Sequence, residues 1–263
     1  MLRAEIFWPP PPPDWSLAFG SRHHSLAAIE QLPRFTPPPV PEVLVWAAFL
    51  EVAPETLHSL TALLSPSELE RAARFRFEQH RNRFIVGRGI LRTILGRCLQ
   101  TDPRAVDFDY GKQGKPLLAV PFAESGLHFN LAHSDDLALI ALTLAGPVGV
   151  DVEQVRILAD ADQLVARFFS VDESAAFARL AQEQKPVAFF ELWTRKEARL
   201  KATGEGIGSL VPPAHPRESR AGDSAGGRPE LWTLKDLFPA PGFAAAVAVA
   251  AAEAEVRCWR YDG

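Results

Sequence analysis

Trp193-Thr194-Arg195-Lys196-Glu197-Ala198-Arg199-Leu200-Lys201-Ala202-Thr203-Gly204-Glu205-Gly206 crowds acids, bases and an aromatic onto what reads as one helix, closed by glycines. Glu197 and Lys201 stand four apart and share a helical face, with Trp193 one turn before Glu197 on the same stripe and Lys196 beside them. Upstream, Val148-Gly149-Val150-Asp151-Val152-Glu153 is rich in β-branched residues and reads as a strand whose two carboxylates, two apart, point to one side. Asp151, Glu153 and Glu197 are therefore expected to converge. Hard divalent cations such as magnesium take oxygen ligands, often one or two carboxylates completed by water and substrate phosphates. Lysines one turn from such a ligand suit the charge of a bridging pyrophosphate. Each feature alone also has a plain reading: an Asp-x-Glu strand is an edge solubility device, and Glu197/Lys201 an ordinary surface ion pair.

These two stretches resemble the signature motifs of the phosphopantetheinyl transferases of the long, surfactin-synthetase-activating type. The resemblance runs from about Leu64 to Ile207. Ser65-Pro66 through Arg74-Phe75, Gly114-Lys115-Pro116, Phe129-Asn130-Leu131-Ala132-His133-Ser134 and Arg167-Phe168-Phe169-Ser170 look like further landmarks in the family's order. The resemblance implies an α+β fold of two similar halves with pseudo-twofold symmetry, each a small sheet packed on a long helix, with the active site in the cleft between them. It also implies transfer of the phosphopantetheine arm of coenzyme A to a serine of an apo acyl or peptidyl carrier protein, releasing 3′,5′-ADP. Asp151, Glu153 and Glu197 match metal positions for magnesium, or manganese in its place. Glu197 also matches the general base and Lys201 the pyrophosphate contact, with Lys196 in the same motif. Arg71 and Arg83 match basic positions for the 3′-phosphate of coenzyme A. Lys115 and Pro116 match the adenine-lining segment, and His133 a phosphate contact whose turn Asn130 positions. Three departures stand out: Ala132 where serine is usual, Glu68 where a base is frequent, and Phe84 where threonine is common.

The chain of 263 residues is long enough for a sizeable core. A net charge of −4 and a pI near 6.0 give no global basic field, so nucleic acid is not an expected partner. Cys98 and Cys258 make no disulfide framework or Cys-x-x-Cys site, and a reducing cytoplasm is the simplest compartment. Met1 to Glu5 is not followed by the apolar core of a secretory signal, and the aliphatic run Phe243 to Ala252 is too short to span a bilayer. A monomer without membrane attachment is expected.

The expected organisation is a proline-rich leader (1–42), an N-terminal half that anchors coenzyme A (43–146) and a C-terminal half that carries the metal and catalytic motifs (147–263). Val43 to Val52 reads as the opening strand. Ser65, Pro66 and Glu68 form a capping box that starts a helix. A long helix is expected from Asn82 to Leu99, then strands at Phe129–Leu131 and Ala138–Leu144 around a turn at Ala132–Asp136. Asp172-Glu173 starts a helix, Val187–Ala202 is the signature helix, and Pro212–Pro229 is an exposed loop. Phe243–Val256 fits helix by its alanines and strand by its alternating valines, and the family resemblance favours strand. Two other functions remain open to this sequence: a catalytically silent carrier-protein binder, and a magnesium-dependent pyrophosphatase acting on coenzyme A.

Overall fold

The apolar run after Pro41 forms β1 (Glu42–Phe49), in which every residue from Val43 to Ala48 is buried. Burial on both faces places it inside a sheet. The computed structural model describes residues 40–206 and 231–261. In it β1 belongs to a four-stranded sheet of order β4-β5-β1-β9, with β4 (His128–Ser134), β5 (Leu137–Thr143) and β9 (Glu255–Arg260). β5 runs antiparallel to both neighbours, while β9 is parallel to β1. Alternate side chains of these strands serve two cores. Leu44, Trp46, Ile140 and Leu142 pack on Ile90 and Ile94 of α3 (Glu78–Cys98), whereas Val43, Val45 and Leu139 meet Val148, Val150 and Val247 of the second sheet.

That second sheet has the order β6-β8-β7, from β6 (Val148–Gln154), β7 (Thr233–Leu237) and β8 (Phe243–Val249), all antiparallel. Its other face carries α6 (Lys185–Thr203), with Ala198 and Ala202 against Ala246 and Ala248. The halves share one topology. Each runs strand, long helix, then two strands of which the second pairs with both others: β1-α3-β4-β5 and β6-α6-β7-β8. The two-half α+β arrangement expected from the resemblance is present, and the repeat lies in the connections rather than in the residues. The halves are not contiguous in sequence, however. The last strand of the expected C-terminal half, β9, returns to the N-terminal sheet.

Locally, Ser65 caps α2 (Pro66–Ala73): its Oγ accepts from Glu68 N–H while Glu68 Oε2 accepts from Ser65 N–H at 2.8 Å. α1 (Pro54–Thr61) packs beneath α3, which begins a turn earlier than Asn82. The turn expected at Ala132–Asp136 shrinks to Asp135-Asp136, because β4 continues to Ser134 and Asp135 takes a φ of +50° to reverse the chain. Phe243–Val249 is a strand, and Glu255 then starts β9 as a separate one. α4 (Ala161–Phe168) was not anticipated from the sequence, while α5 (Val171–Ala178) starts where Asp172-Glu173 indicated, with Ser170 and Glu173 as its capping box. The proline-rich leader up to Pro39 and the Pro212–Pro229 loop lie outside the described residues. Among the described residues no helix is long and apolar enough to cross a membrane.

Candidate active site

Gly149 explains why the motif strand and the signature helix meet. A Cβ there would stand 2.0 Å from the Ala198 carbonyl oxygen and 2.4 Å from Ala202 N, so the backbone of α6 lies directly on β6 only because this position has no side chain. The approach brings Lys201 Nζ to 2.6 Å from Asp151 Oδ1. Lys201 thus pairs with an acid 50 residues away, not with Glu197 one turn before it on its own helix. Asp151 is 4 % exposed, and its Oδ2 is buried without a hydrogen-bond partner. Burial pushes its carboxyl up to about 7 against the pull of Lys201, and the negative charges of Glu153 and Glu197 add to the rise. Burial also raises the Glu197 carboxyl, with Lys201 opposing and Glu153 assisting.

The three acids therefore feel one another, but they do not converge as expected. Glu153 turns to Ser134, whose Oγ donates to Oε2 at 3.0 Å, and to Arg156 Nη1 at 3.6 Å. Among the described residues no three His, Cys, Asp or Glu side chains stand in a ready-made metal cluster. The donor set still suits a hard divalent cation: all ligand atoms are oxygens, the charge of Glu153 raises both Asp151 and Glu197, and Asp151 Oδ2 is a buried acceptor in want of a partner. The fit is one of donor chemistry and charge, with Asp151 as anchor and the Lys201 ammonium neutralising it.

The residues expected at the coenzyme A end have varied placements. His133 lies at the end of β4 beside Arg83, where partial burial together with Lys201 and Arg83 shifts its imidazole toward the neutral form. Arg83 donates from Nη1 to Asp135 at 2.7 Å and from Nη2 to Glu51 at 3.0 Å, so its charge is matched. Arg71 is exposed and rests its guanidinium 5.3 Å from the Phe84 ring. Asn130, expected to shape a turn, is buried in β4, where its Oδ1 accepts from Val150 N–H at 2.8 Å and ties the two sheets together. Pro116 opens β3 (Pro116–Leu118), which pairs with β2 (Phe108–Tyr110). Lys115 points away from that hairpin and donates to the carbonyls of Val148 at 2.9 Å, Lys201 at 2.6 Å and Ala202 at 3.4 Å, capping α6. Lys196 sits apart from the acid cluster, 2.8 Å from Glu173 and over the Phe169 ring, and fastens α5 to α6. Ala132 is buried opposite Leu139 in the core between the sheets, so the departure from serine is a packing choice.

Two further polar side chains lie beside these residues. Ser134 Oγ serves Glu153 and also accepts from Gln154 N–H at 3.0 Å, and Arg88 lies buried beside Phe84. Ser134 ended a motif already visible in the sequence, whereas Arg88 belonged to a run of helical arginines with nothing to single it out.

Two family profiles divide the chain at the boundary between β5 and β6. The 4′-phosphopantetheinyl transferase N-terminal family matches residues 51–144, and the 4′-phosphopantetheinyl transferase superfamily matches residues 147–248. The 4′-phosphopantetheinyl transferase HetI of Nostoc sp. is 43 % identical over 226 residues, which are 84 % of this chain and 92 % of that protein. A putative 4′-phosphopantetheinyl transferase of Synechocystis sp. is 39 % identical over 61 % of this chain and 65 % of its own length. The 4′-phosphopantetheinyl transferase Sfp of Bacillus subtilis is 27 % identical over 56 % of this chain and 62 % of its own. With two matched profiles meeting at the junction of its halves and a relative covered over 92 % of its length, the chain belongs to the 4′-phosphopantetheinyl transferase superfamily.

Proposed function

We propose that the chain transfers the 4′-phosphopantetheine arm of coenzyme A to a serine hydroxyl of an apo acyl or peptidyl carrier protein, as a magnesium-dependent holo-carrier-protein synthase. The serine oxygen forms a bond to the β-phosphorus, the bond from that phosphorus to the bridging oxygen breaks, and 3′,5′-ADP departs with the electron pair. The observation that carries the reading is the pairing of Lys201 with the buried Asp151, seated where α6 rests on Gly149 with Glu197 on the adjoining turn. Asp151, Glu153 and Glu197 would hold the magnesium, or manganese in its place, which supplies charge stabilisation to the pyrophosphate when bound. Lys201 faces the charge that builds on the leaving pyrophosphate oxygen. Glu197, its affinity for protons raised by burial, receives the serine hydroxyl proton. His133 and the arginines around it take the nucleotide end. A monomer working in a reducing cytoplasm fits two free cysteines, one of them buried.

The test is mass spectrometry of an apo carrier protein incubated with this chain, coenzyme A and magnesium. Transfer adds the phosphopantetheine mass to the carrier. Release of free phosphopantetheine without carrier modification would replace the reading by the pyrophosphatase, and binding without any chemistry would replace it by the silent binder.

A further inference from the structure

β4 and β6 are edge strands of their two sheets and lie side by side without a backbone ladder between them. Side chains join them instead. Asn130 Oδ1 accepts from Val150 N–H at 2.8 Å, and Ser134 Oγ accepts from Gln154 N–H at 3.0 Å. Both links span 20 residues, so the two strands run in the same direction. The second link falls at the end of β4, just before Asp135 turns the chain back at a φ of +50°.

The Ser134 hydroxyl does more than this link requires. A backbone N–H can only donate, so Ser134 receives from Gln154 and its own proton must go elsewhere. It goes to Glu153 Oε2, at 3.0 Å. The hydroxyl then has no proton left for a substrate phosphate. The same Oε2 stands 3.6 Å from Nη1 of Arg156, whose half-exposed guanidinium lies over the Phe190 ring and donates to the Gln154 carbonyl. An ion pair so open to water contributes little, which makes the serine the firmer hold. Glu153 Oε1 carries no hydrogen bond among the described residues. Asp151 and Glu153 alternate along β6 and share one of its faces. A free glutamate samples many rotamers, and a cation must meet the cost of ordering it; a carboxylate already tied by one oxygen presents the other at lower cost.

We propose that Ser134 is a positioning residue for the divalent cation: its hydroxyl holds Glu153 by Oε2 and leaves Oε1 as the ligating oxygen. The proposal rests on the metal role given to Glu153 in the proposed function and adds the group that orients it. A residue of the N-terminal half thereby sets the metal affinity of a site whose acids all belong to the C-terminal half.

Manganese titrated at saturating coenzyme A, with the free ion followed by its paramagnetic resonance signal, tests this in the wild type, Ser134→Ala, Ser134→Thr, Glu153→Gln and the Ser134→Ala, Glu153→Gln double variant. Gln154 is exposed and its N–H can turn to water, so Ser134→Ala should fold as the wild type does. It should bind manganese about 10-fold more weakly, the low side for loss of a group that orients a metal ligand. Ser134→Thr keeps the hydroxyl and should stay close to the wild type. Glu153→Gln should weaken binding by itself, and adding Ser134→Ala to it should weaken binding no further, because the serine acts through that carboxylate. The magnesium concentration for half-maximal transfer should rise in Ser134→Ala by the same factor as manganese binding falls. A loss from Ser134→Ala that persists undiminished in the Glu153→Gln background would make Ser134 a strand link only and overturn the proposal. Unchanged or tighter manganese binding in Ser134→Ala would overturn it too, the latter by showing that the serine holds Glu153 back from the cation. A wild type that modifies the carrier while Glu153→Gln binds manganese unchanged overturns this inference alone. One that neither binds manganese with coenzyme A nor modifies the carrier overturns the function itself.

Discussion

Asp151 gives one carboxylate oxygen to Lys201 and keeps the other buried and unpartnered, a condition a folded protein tolerates where a ligand completes it. Asp151→Asn keeps the shape and removes the charge. Transfer should fall by about 10²–10⁴-fold, as expected for loss of several kcal/mol of charge stabilisation, with the circular dichroism spectrum unchanged. Near-normal turnover at ordinary magnesium would remove Asp151 from the site. Lys201→Met should lower kcat with little change in KM for coenzyme A, because its charge is needed most as the pyrophosphate bond breaks and 3′,5′-ADP leaves. A rise in KM alone would make Lys201 a substrate anchor. At this scale the sequence named candidate residues and was silent about whom they touch. The spacing of Glu197 and Lys201 suggested a pair on one helix, whereas the real pair of Lys201 is with Asp151, across a contact that no local spacing can report. The same limit applied to Lys196, equal to Lys201 as a motif member and yet bound to Glu173.

β6 and α6 act as one unit because their backbones touch at Gly149. The motif was legible, while its reason appeared only once α6 was seen to lie within 2.0 Å of a Cβ at that position. Gly149→Ala must push helix and strand apart, and the clashing atoms are backbone, so no side chain can yield. It should cost at least about 3 kcal/mol and separate Lys201 from Asp151, abolishing transfer. A variant that melts as the wild type does would show that the sheet can shift without harm. Lys115 fastens the same C-terminal turn of α6. Lys115→Met leaves three carbonyls without their donor and should cost about 1–3 kcal/mol in urea unfolding. Burial lowers its ammonium to about 8 from the usual lysine value near 10.5. Between those values the unfolded chain holds a proton that the folded chain has released, so the unfolding free energy should rise with pH across that window and stay level below it. Lys115→Met should lack this rise. The difference between the two pH curves is the measurement, and parallel curves would show that Lys115 titrates as an exposed lysine. By its resemblance to the family, the Gly-Lys-Pro motif was expected to line the adenine of coenzyme A. That its lysine faces α6 depends on how the hairpin packs, which composition does not encode.

The two halves share a topology and the apolar core between their sheets, and polar and strand links join them as well: Asn130 to Val150, Ser134 to Glu153 and Gln154, Lys115 to the end of α6, and β9. Sequence placed the division at 146–147; one matched family profile ends at residue 144 and the other begins at 147. Neither shows that the last strand crosses back. β9 lies beyond residue 248, where the second profile ends, and its pairing with β1 is parallel and spans nearly the whole described chain. Long-range strand pairing of this kind leaves only an alternating pattern in the sequence, one that a short helix can share. Structurally β9 serves both cores. Val256 and Cys258 pack on the core between the sheets, while Trp259 packs on the α3 side and lies 5.5 Å from Trp46. Truncation after Glu253 should therefore destabilise both halves, not fray one edge, because it bares the β1 edge and uncovers Trp46. Trp259→Ala, the gentler change, should cost about 2–3 kcal/mol, the low side for loss of a packed tryptophan. Far-ultraviolet circular dichroism and tryptophan fluorescence, followed through the same urea titration, should show one coincident transition at lower midpoint in both variants. Two separated transitions, or a truncated chain that keeps the wild-type midpoint and modifies the carrier at full rate, would show that β9 is an ornament on a sheet already complete without it.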